Sequence, residues 1–395
     1  MKVCGVVAEY NPFHNGHLYQ LKEARLKTGA DVIVVAMSGN FLQRGEPAIV
    51  DKWDRASVAL KHGADIVVEI PAAFSVQPAD IFAKGAVDLL THMGMDTLSF
   101  GSESGEGSDF EQAASLYLGR EKEINDFFHT EQKQGLTYAQ NMSDILSKHF
   151  PDFKLDLTQP NNTLGFAYAK VLRENKRPVN IETVRRKSSH YHDQEVVSGN
   201  DIASATAIRN LLFSERDWTD QNDLPLPLEM EEILKTRDHV QWAHFFPYLK
   251  YRVTTMSLAE LSQIYLMEKG LEYRVKEVVK QSDDMNAYMT RLKTKQLSWT
   301  RLQRLSYYIL LNQTEADMTM KTESVEFIRL LGFNKTGQKH LNQIKHDLNR
   351  PLVTNISQKN RDLLAYDIMA GEVYGLASPG SRKSQDYKRK PLKID

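Results

Sequence analysis

Four short β-branched runs, separated by stretches of helical periodicity, limit what the first hundred residues of this chain can become. The runs are Val3–Ala8, Asp31–Ala36, Asp65–Ile70 and Thr97–Phe100. Val3–Ala8 is wholly apolar and Asp31–Ala36 is so after its first residue, as suits strands buried on both faces. Between them, Gly16–Lys27 sets Leu18, Leu21 and Ala24 at helical spacing, and Asp54–His62 also reads as helix. Pro78 opens a third helix with Phe82, Ala86 and Leu89 on one face, and Gly94 ends it. Strand–helix alternation of this kind predicts an α/β fold with a doubly wound parallel sheet, whose ligand lies at the carboxyl ends of the strands.

Length and composition narrow the class. At roughly 150 residues per domain, 395 residues make two or three units. A chain of this size can bury most of its surface without disulfides or structural zinc. The lone cysteine, Cys4, excludes a disulfide framework and a Cys-rich zinc site and suits a reducing cytoplasm. Fifty Lys+Arg against 51 Asp+Glu leave a formal charge of −1, so a nucleic-acid site would have to be a local patch. No apolar run approaches the roughly 18 residues of a membrane span. Met1-Lys2 leads into a core too short for a signal peptide, so a cytoplasmic location is expected.

Beyond the fourth run, about 110–150 reads as a helical insertion, and alternation resumes weakly at Asn180–Val184. Ser214–Leu228, with Asp220–Asp223 and a Leu-Pro-Leu-Pro-Leu run, reads as a linker. From Leu258 to Glu372 helix-forming stretches dominate and no convincing strand is seen, which predicts an α-helical C-terminal domain. The expected division is therefore 1–215, 216–378 and a basic tail, 379–395.

The polar motifs follow the strand ends. After the first strand comes Tyr10-Asn11-Pro12-Phe13-His14-Asn15-Gly16-His17. His14 and His17, three apart at a helix opening, point the same way. Gly16 lets a ligand approach the backbone, and free N–H groups of the first turn favour phosphate. Imidazole donors, a bare glycine and a helix N-terminus together predict a triphosphate cradle. A second loop, Ile202-Ala203-Ser204-Ala205-Thr206-Ala207-Ile208-Arg209, offers Ser204 or Thr206 as helix cap and hydroxyl donor, with Arg209 to neutralise charge.

His14-Asn15-Gly16-His17 resembles the His-x-Gly-His signature of the nucleotidyltransferase superfamily. The likeness goes further. Cys4–His17, Met37–Ala48, Phe100-Gly101-Ser102-Glu103, Pro160-Asn161-Asn162, Tyr191-His192-Asp193 and Leu331-Gly332-Phe333-Asn334 closely resemble the bacterial tRNA(Met) cytidine acetate ligase family. That resemblance implies a Rossmann-like nucleotidyltransferase domain followed by an α-helical C-terminal domain. It also implies a two-step reaction, in which ATP and acetate give acetyl-adenylate and the acetyl group passes to N4 of the wobble cytidine of elongator tRNA(Met).

Carried over by position, the ATP site comprises Val7, Ala8, Glu9, Tyr10, Asn11, Pro12, Phe13, His14, Asn15, Gly16 and His17, with Gly101, Asn162 and an arginine of the Arg185-Arg186 pair. Arg186 is preferred as nearer Tyr191-His192-Asp193, although Lys187-Ser188-Ser189-His190 replaces an expected glycine-containing stretch there. Ser204 and Thr206 complete the set, and His14 and His17 are the expected catalytic residues. Asn162 would read an adenine edge with its amide. Ser38, Asn40, Gln43 and Arg44 would hold acetate or the incoming base, or else tie down their own loop.

His190-x-His192-Asp193 lacks the third ligand that zinc needs, so no protein-bound metal is expected. Mg2+ would arrive on the ATP phosphates. From Asn286 to Asn312 there is no acidic residue, while Arg291, Lys293, Lys295, Arg301 and Arg304 are basic. A helix over Thr300–Leu311 would align Arg301, Arg304 and Tyr308 for RNA, with Trp299 and Tyr308 stacking on an unpaired base. Arg382, Lys383, Lys388, Arg389 and Lys390 of the tail would add electrostatic grip. Competing readings are a cofactor-pathway adenylyltransferase and an RNA-binding protein with a degenerate nucleotide site.

Overall fold

The computed structural model describes residues 1–133, 135–176, 178–186, 203–214, 224–377 and 385–395. His190, Tyr191, His192, Asp193, the Lys187–His190 stretch, Asp220–Asp223, Arg382 and Lys383 lie outside the described residues.

The four apolar runs are strands, β1 (Val3–Ala8), β2 (Val32–Ser38), β3 (Ile66–Ile70) and β4 (Thr97–Ser102), and β5 (Asn180–Arg185) follows. The intervening helices are α1 (Asn15–Thr28), α2 (Lys52–Lys61), the short α3 (Ala72–Ser75) and α4 (Ala79–His92). Four more, α5 (Gly107–Gly119), α6 (Glu121–Glu131), α7 (Tyr138–His149) and α8 (Pro160–Glu174), fill the long β4–β5 connection. The five strands are parallel in the order β5-β4-β1-β2-β3. The chain winds one way from β1 to β3, then returns across β1 to β4, so the strand order reverses between β1 and β4. A crevice opens at the carboxyl ends of that pair.

Period-two alternation within each run sorts the core into two layers. Val3, Val32, Val34, Ile66 and Val68 face one cluster, whereas Cys4, Val6, Ile33, Val35 and Val67 face the other. Phe82, Ala86 and Leu89 of α4 are buried in the first layer, and Leu21 and Ala24 of α1 in the second.

The next helices are α9 (Ala205–Leu212), α10 (Leu228–Thr236), α11 (Trp242–Thr255), α12 (Leu258–Ser262), α13 (Leu271–Lys280), α14 (Met285–Leu292), α15 (Trp299–Leu310) and α16 (Glu315–Lys321). Up to this point the helical expectation for the C-terminal half matches. After α16, however, the stretch expected to lack strands supplies β6 (Ile328–Phe333), antiparallel to β3. Then come α17 (Lys335–Ile344), β7 (Leu352–Val353), α18 (Ala365–Gly375) and β8 (Leu392–Lys393), with β7 and β8 both pairing with β6. β6 is buried on both faces, so it carries no alternation to distinguish it from a buried helix. Gly332 is required where β8 crosses, because a Cβ there would lie 2.8 Å from that of Leu392.

Charge fastens this C-terminal return. Lys52, at the start of α2, is buried, and its Nζ sits 2.7 Å from Glu69 and 2.6 Å from Asp386. Burial alone would pull the ammonium down; the Asp386 and Glu69 carboxylates outweigh it and hold the group above the ordinary lysine value. Arg329 of β6 donates to the Asp386 carbonyl at 3.1 Å. The Lys388–Lys390 part of the expected basic tail thus follows a segment built into the core. Replacing Lys52 with Met would leave two buried carboxylates uncompensated, a loss of about 3–5 kcal/mol. Urea unfolding of K52M should show that fall in midpoint.

Candidate functional site

At the crevice, β1 ends and α1 begins under an unusual cap. His14 is extended, and its Nδ1 accepts the Gly16 N–H at 3.0 Å. The His17 Nδ1 in return accepts the His14 N–H at 3.2 Å. The two rings stack with centroids 3.7 Å apart, and Tyr10 meets the His17 ring at 4.8 Å. This is a reciprocal capping box in which imidazoles replace the usual hydroxyl and carboxylate.

The cap decides the tautomer. An Nδ1 that accepts a backbone N–H carries no hydrogen, so each ring bears its proton on Nε2. Burial, with Arg186 and Arg209 adding, depresses His14 to about 3. Burial, then His14 and Arg186, holds His17 well below the ordinary imidazole value. Both rings are therefore neutral donors at pH 7.

One expectation changes here. The first-turn N–H groups are not free, since Asn15 N donates to Pro225 O and His17 N to His14 O, besides the two imidazole bonds. The helix's positive end reaches the crevice through polarised imidazoles rather than through bare amides.

A cavity of about 560 Å³ occupies the crevice. Of the expected nucleotide residues, Val7, Ala8, Glu9, Tyr10, Asn11, His14, Gly16, His17, Gly101, Arg186, Ser204 and Thr206 line it. Pro12, Phe13, Asn15 and Asn162 do not. Asn11 and Pro12 are joined by a cis peptide. Phe13 is buried against Tyr10 and His17, bracing the loop from behind. Asn11 Oδ1 takes the Ile49 N–H at 2.7 Å, while its buried Nδ2 has no partner among the described residues. Ser204 caps α9 by accepting the Ala207 N–H, and Arg209 donates to the Asn11 carbonyl at 2.8 Å and pairs with Glu46 at 3.4 Å.

Asn162 is fully buried with its amide committed. Its Oδ1 accepts from Ser102 Oγ, and its Nδ2 donates to Ser104 Oγ and the Asp156 carbonyl. Glu103 receives the N–H groups of Asn161 and Asn162 at the start of α8. The Phe100–Glu103 and Pro160–Asn162 segments therefore lock together, and Asn161 is the asparagine that lines the cavity.

The Met37–Ala48 loop divides its labour. Asn40 Oδ1 caps toward the Lys52 N–H, and Ser38 is buried. Gln43 and Arg44 line the cavity. Arg55 is wholly buried and donates to the carbonyls of Glu9, Ser38, Gly39 and Val50, tying the ends of β1 and β2 together.

The loop is also fastened to the helical region. Arg304 Nε donates to the Gln43 carbonyl at 2.8 Å, and Trp242 Nε1 to the Gly45 carbonyl at 3.0 Å. Gly45 has a positive φ, and a Cβ on it would lie 2.5 Å from the Arg304 nitrogen. Arg304, expected to face RNA, is thus part of the cavity wall, where burial draws it down to about 10. Tyr308, expected to stack on a base, is buried and donates to the Val76 carbonyl instead. Arg301 pairs with Glu268 at 2.8 Å, an acid outside the acid-free window. Arg291, Lys293, Lys295 and Trp299 remain exposed.

Residues that the motifs did not single out include Glu46, Tyr19, Gln20 and Tyr168. Gln20 lies three residues after His17, so its face of α1 was readable. Tyr168 had no local signal. Among the described residues no three His, Cys, Asp or Glu side chains could hold a metal ion, and no helix is long and apolar enough to cross a membrane. The tautomer assignment has a direct check. Imidazole ¹⁵N spectra of the whole chain should show His14 and His17 as Nε2–H forms that do not titrate between pH 8 and about 5.

A family model described as HIGH Nucleotidyl Transferase matches residues 1–390. The tRNA(Met) cytidine acetate ligase of Bacillus velezensis is 39% identical over 406 aligned positions, covering 100% of this chain and 98% of the relative. The protein of that name from Bacillus subtilis is 38% identical, also covering 100% and 98%. Thermotoga maritima TmcAL in its apo form superposes with a TM-score of 0.92 at 29% identity, each chain covered in full. The same protein bound with alpha-thio ATP gives 0.89. A site built on paired imidazoles at a strand–helix junction and a match along the whole chain lead to one assignment: the chain belongs to the HIGH nucleotidyltransferase family and, within it, to the tRNA(Met) cytidine acetate ligases.

Proposed function

We propose that this chain activates acetate with ATP and transfers the acetyl group to N4 of the wobble cytidine of elongator tRNA(Met). The observation that carries the reading is the pair of neutral Nε2–H imidazoles, held by the α1 cap beside Arg186 and Arg209 in the cavity at the switch between β1 and β4.

Acetate is a poor electrophile because its charge repels nucleophiles, and adenylation removes that charge while installing a leaving group. In-line attack on the α-phosphate builds negative charge on its oxygens, so catalysis consists of positioning and preorganised donors. His14 and His17 supply two donors whose orientation is set before ATP arrives. Arg186 and Arg209 bring fixed positive charge, and Ser204 and Thr206, at the start of the helix that carries Arg209, also line the cavity. The unpaired Asn11 Nδ2 is a further donor suited to the nucleotide. Magnesium would ride on the phosphates, where its charge would stabilise departing pyrophosphate, since it takes few protein ligands.

The RNA reaches the cavity along the helical region. Arg291, Lys293 and Lys295 give that face exposed positive charge, and Trp299 offers an accessible ring for stacking. Arg304 and Thr300 connect the face to the cavity wall.

Three experiments test the reading. Acetate-dependent exchange of labelled pyrophosphate into ATP should fall roughly 10²–10³-fold in H17A, the loss typical of removing one preorganised donor. An unchanged rate would remove His17 from the mechanism. Incubation with ATP, acetate and tRNA should yield N4-acetylcytidine by nucleoside mass analysis. Charge reversal at Arg291, Lys293 and Lys295 should weaken tRNA binding and flatten its salt dependence by up to about one unit of slope per lost phosphate contact.

A further inference from the structure

We propose that Glu9 accepts the proton released in the acetyl-transfer step. The proposal rests on the two-step reading above. In that step the cytidine N4 nitrogen bonds to the acetyl carbonyl carbon, the bond from that carbon to the adenylate oxygen breaks, and AMP leaves with the electron pair. The amine enters with two hydrogens and ends with one, so one proton passes to a base, here a carboxylate that becomes a carboxylic acid.

The cavity's described residues leave few candidates. Both imidazoles carry hydrogen on Nε2 and commit Nδ1 to backbone donors, so neither ring has a lone pair to offer. The hydroxyls of Tyr10 and Tyr168 are held in their neutral form by burial. Glu46 is paired with Arg209 at 3.4 Å. Glu9 differs: its Oε1 accepts the Gln43 N–H at 2.7 Å, and its Oε2 has no hydrogen-bond partner among the described residues. One oxygen is thus anchored and the other is available in the cavity that Glu9 lines.

Two relations tie this carboxylate to both sides of the cavity. Arg209 acts electrostatically on both Glu9 and His14, and all three line the same cavity. Gln43, whose N–H anchors Glu9, gives its carbonyl to Arg304 of α15. Glu9 is therefore one residue removed from the wall supplied by the helical region, the side from which RNA comes. Its backbone is pinned by Arg55, which donates to the Glu9 carbonyl at 2.5 Å.

The surroundings also suit the task. Burial raises the Glu9 carboxyl above its ordinary range, and Glu46 adds to this; the Gln43 N–H, Arg44 and Arg209 oppose it. Arg55, Arg304 and Tyr168 are the other charged or titratable groups in electrostatic range of Glu9. A carboxylate with an elevated proton affinity is a better acceptor near neutrality than one in water.

The test uses the full chain with ATP, acetate and tRNA. Glu9→Gln keeps the size and the oxygen that accepts from Gln43 but removes the base. Single-turnover acetyl transfer from enzyme-formed acetyl-adenylate to tRNA should fall about 10²–10⁴-fold, with acetate-dependent pyrophosphate exchange falling far less. The wild-type transfer rate should rise with pH through an ionisation above the usual carboxylate range, a limb absent in E9Q and recovered in E9D. Parallel loss of exchange and transfer, or a transfer limb that persists in E9Q, would overturn the assignment. Absence of acetate-dependent exchange in the wild-type chain would instead overturn the reading on which it rests.

Discussion

Two hydrogen bonds from backbone to imidazole govern the rest of the site. By taking the Gly16 and His14 N–H groups, the Nδ1 atoms of His14 and His17 cap the start of α1 and fix both tautomers, leaving an Nε2–H on each of two rings that line the crevice. Burial then keeps the rings neutral, so they act by direction rather than by charge. Positive charge comes from elsewhere, from Arg186 after β5 and Arg209 on α9. Separating donor geometry from net charge lets the cavity bind a polyanion without paired imidazolium ions repelling each other across 3.7 Å of stacking distance.

The second organising element is the loop after β2. It touches β1 through Glu9 and Gln43, α2 through Asn40 and Lys52, and the helical region through Arg304 and Trp242. Hydrogen bonds therefore cross directly between the nucleotide cavity and the helices at this seam. Tyr308 and Tyr265 extend it by bonding to Val76 and Gln77 ahead of α4. An RNA held on the exposed basic face would therefore be placed relative to the crevice by a continuous set of hydrogen bonds.

The C-terminal return serves the same rigidity. β6 closes the β3 edge, β7 and β8 cover β6, and Asp386 completes a buried ionic cluster with Lys52 and Glu69. Asn334 caps α17 and also donates to Asp65, which holds Arg25 of α1. The C-terminal return thus braces the first helix through Asn334 and Asp65, and the end of the third strand through Asp386, Lys52 and Glu69.

Strands β1 to β4, their helices and the imidazole pair were legible in the sequence because local pattern and capping chemistry specify them at short range. Glycines and strand ends also located the crevice. Tertiary structure decided what depends on distant partners. It consumed the first-turn amides, buried Tyr308, matched Arg301 to Glu268 and spent the Asn162 amide on Ser102, Ser104 and Asp156. β6 was hidden for a related reason, since a strand buried on both faces shows no alternation and only its pairing with β3 distinguishes it from a helix. A window of sequence reports which groups a residue can offer; packing alone determines which are already taken.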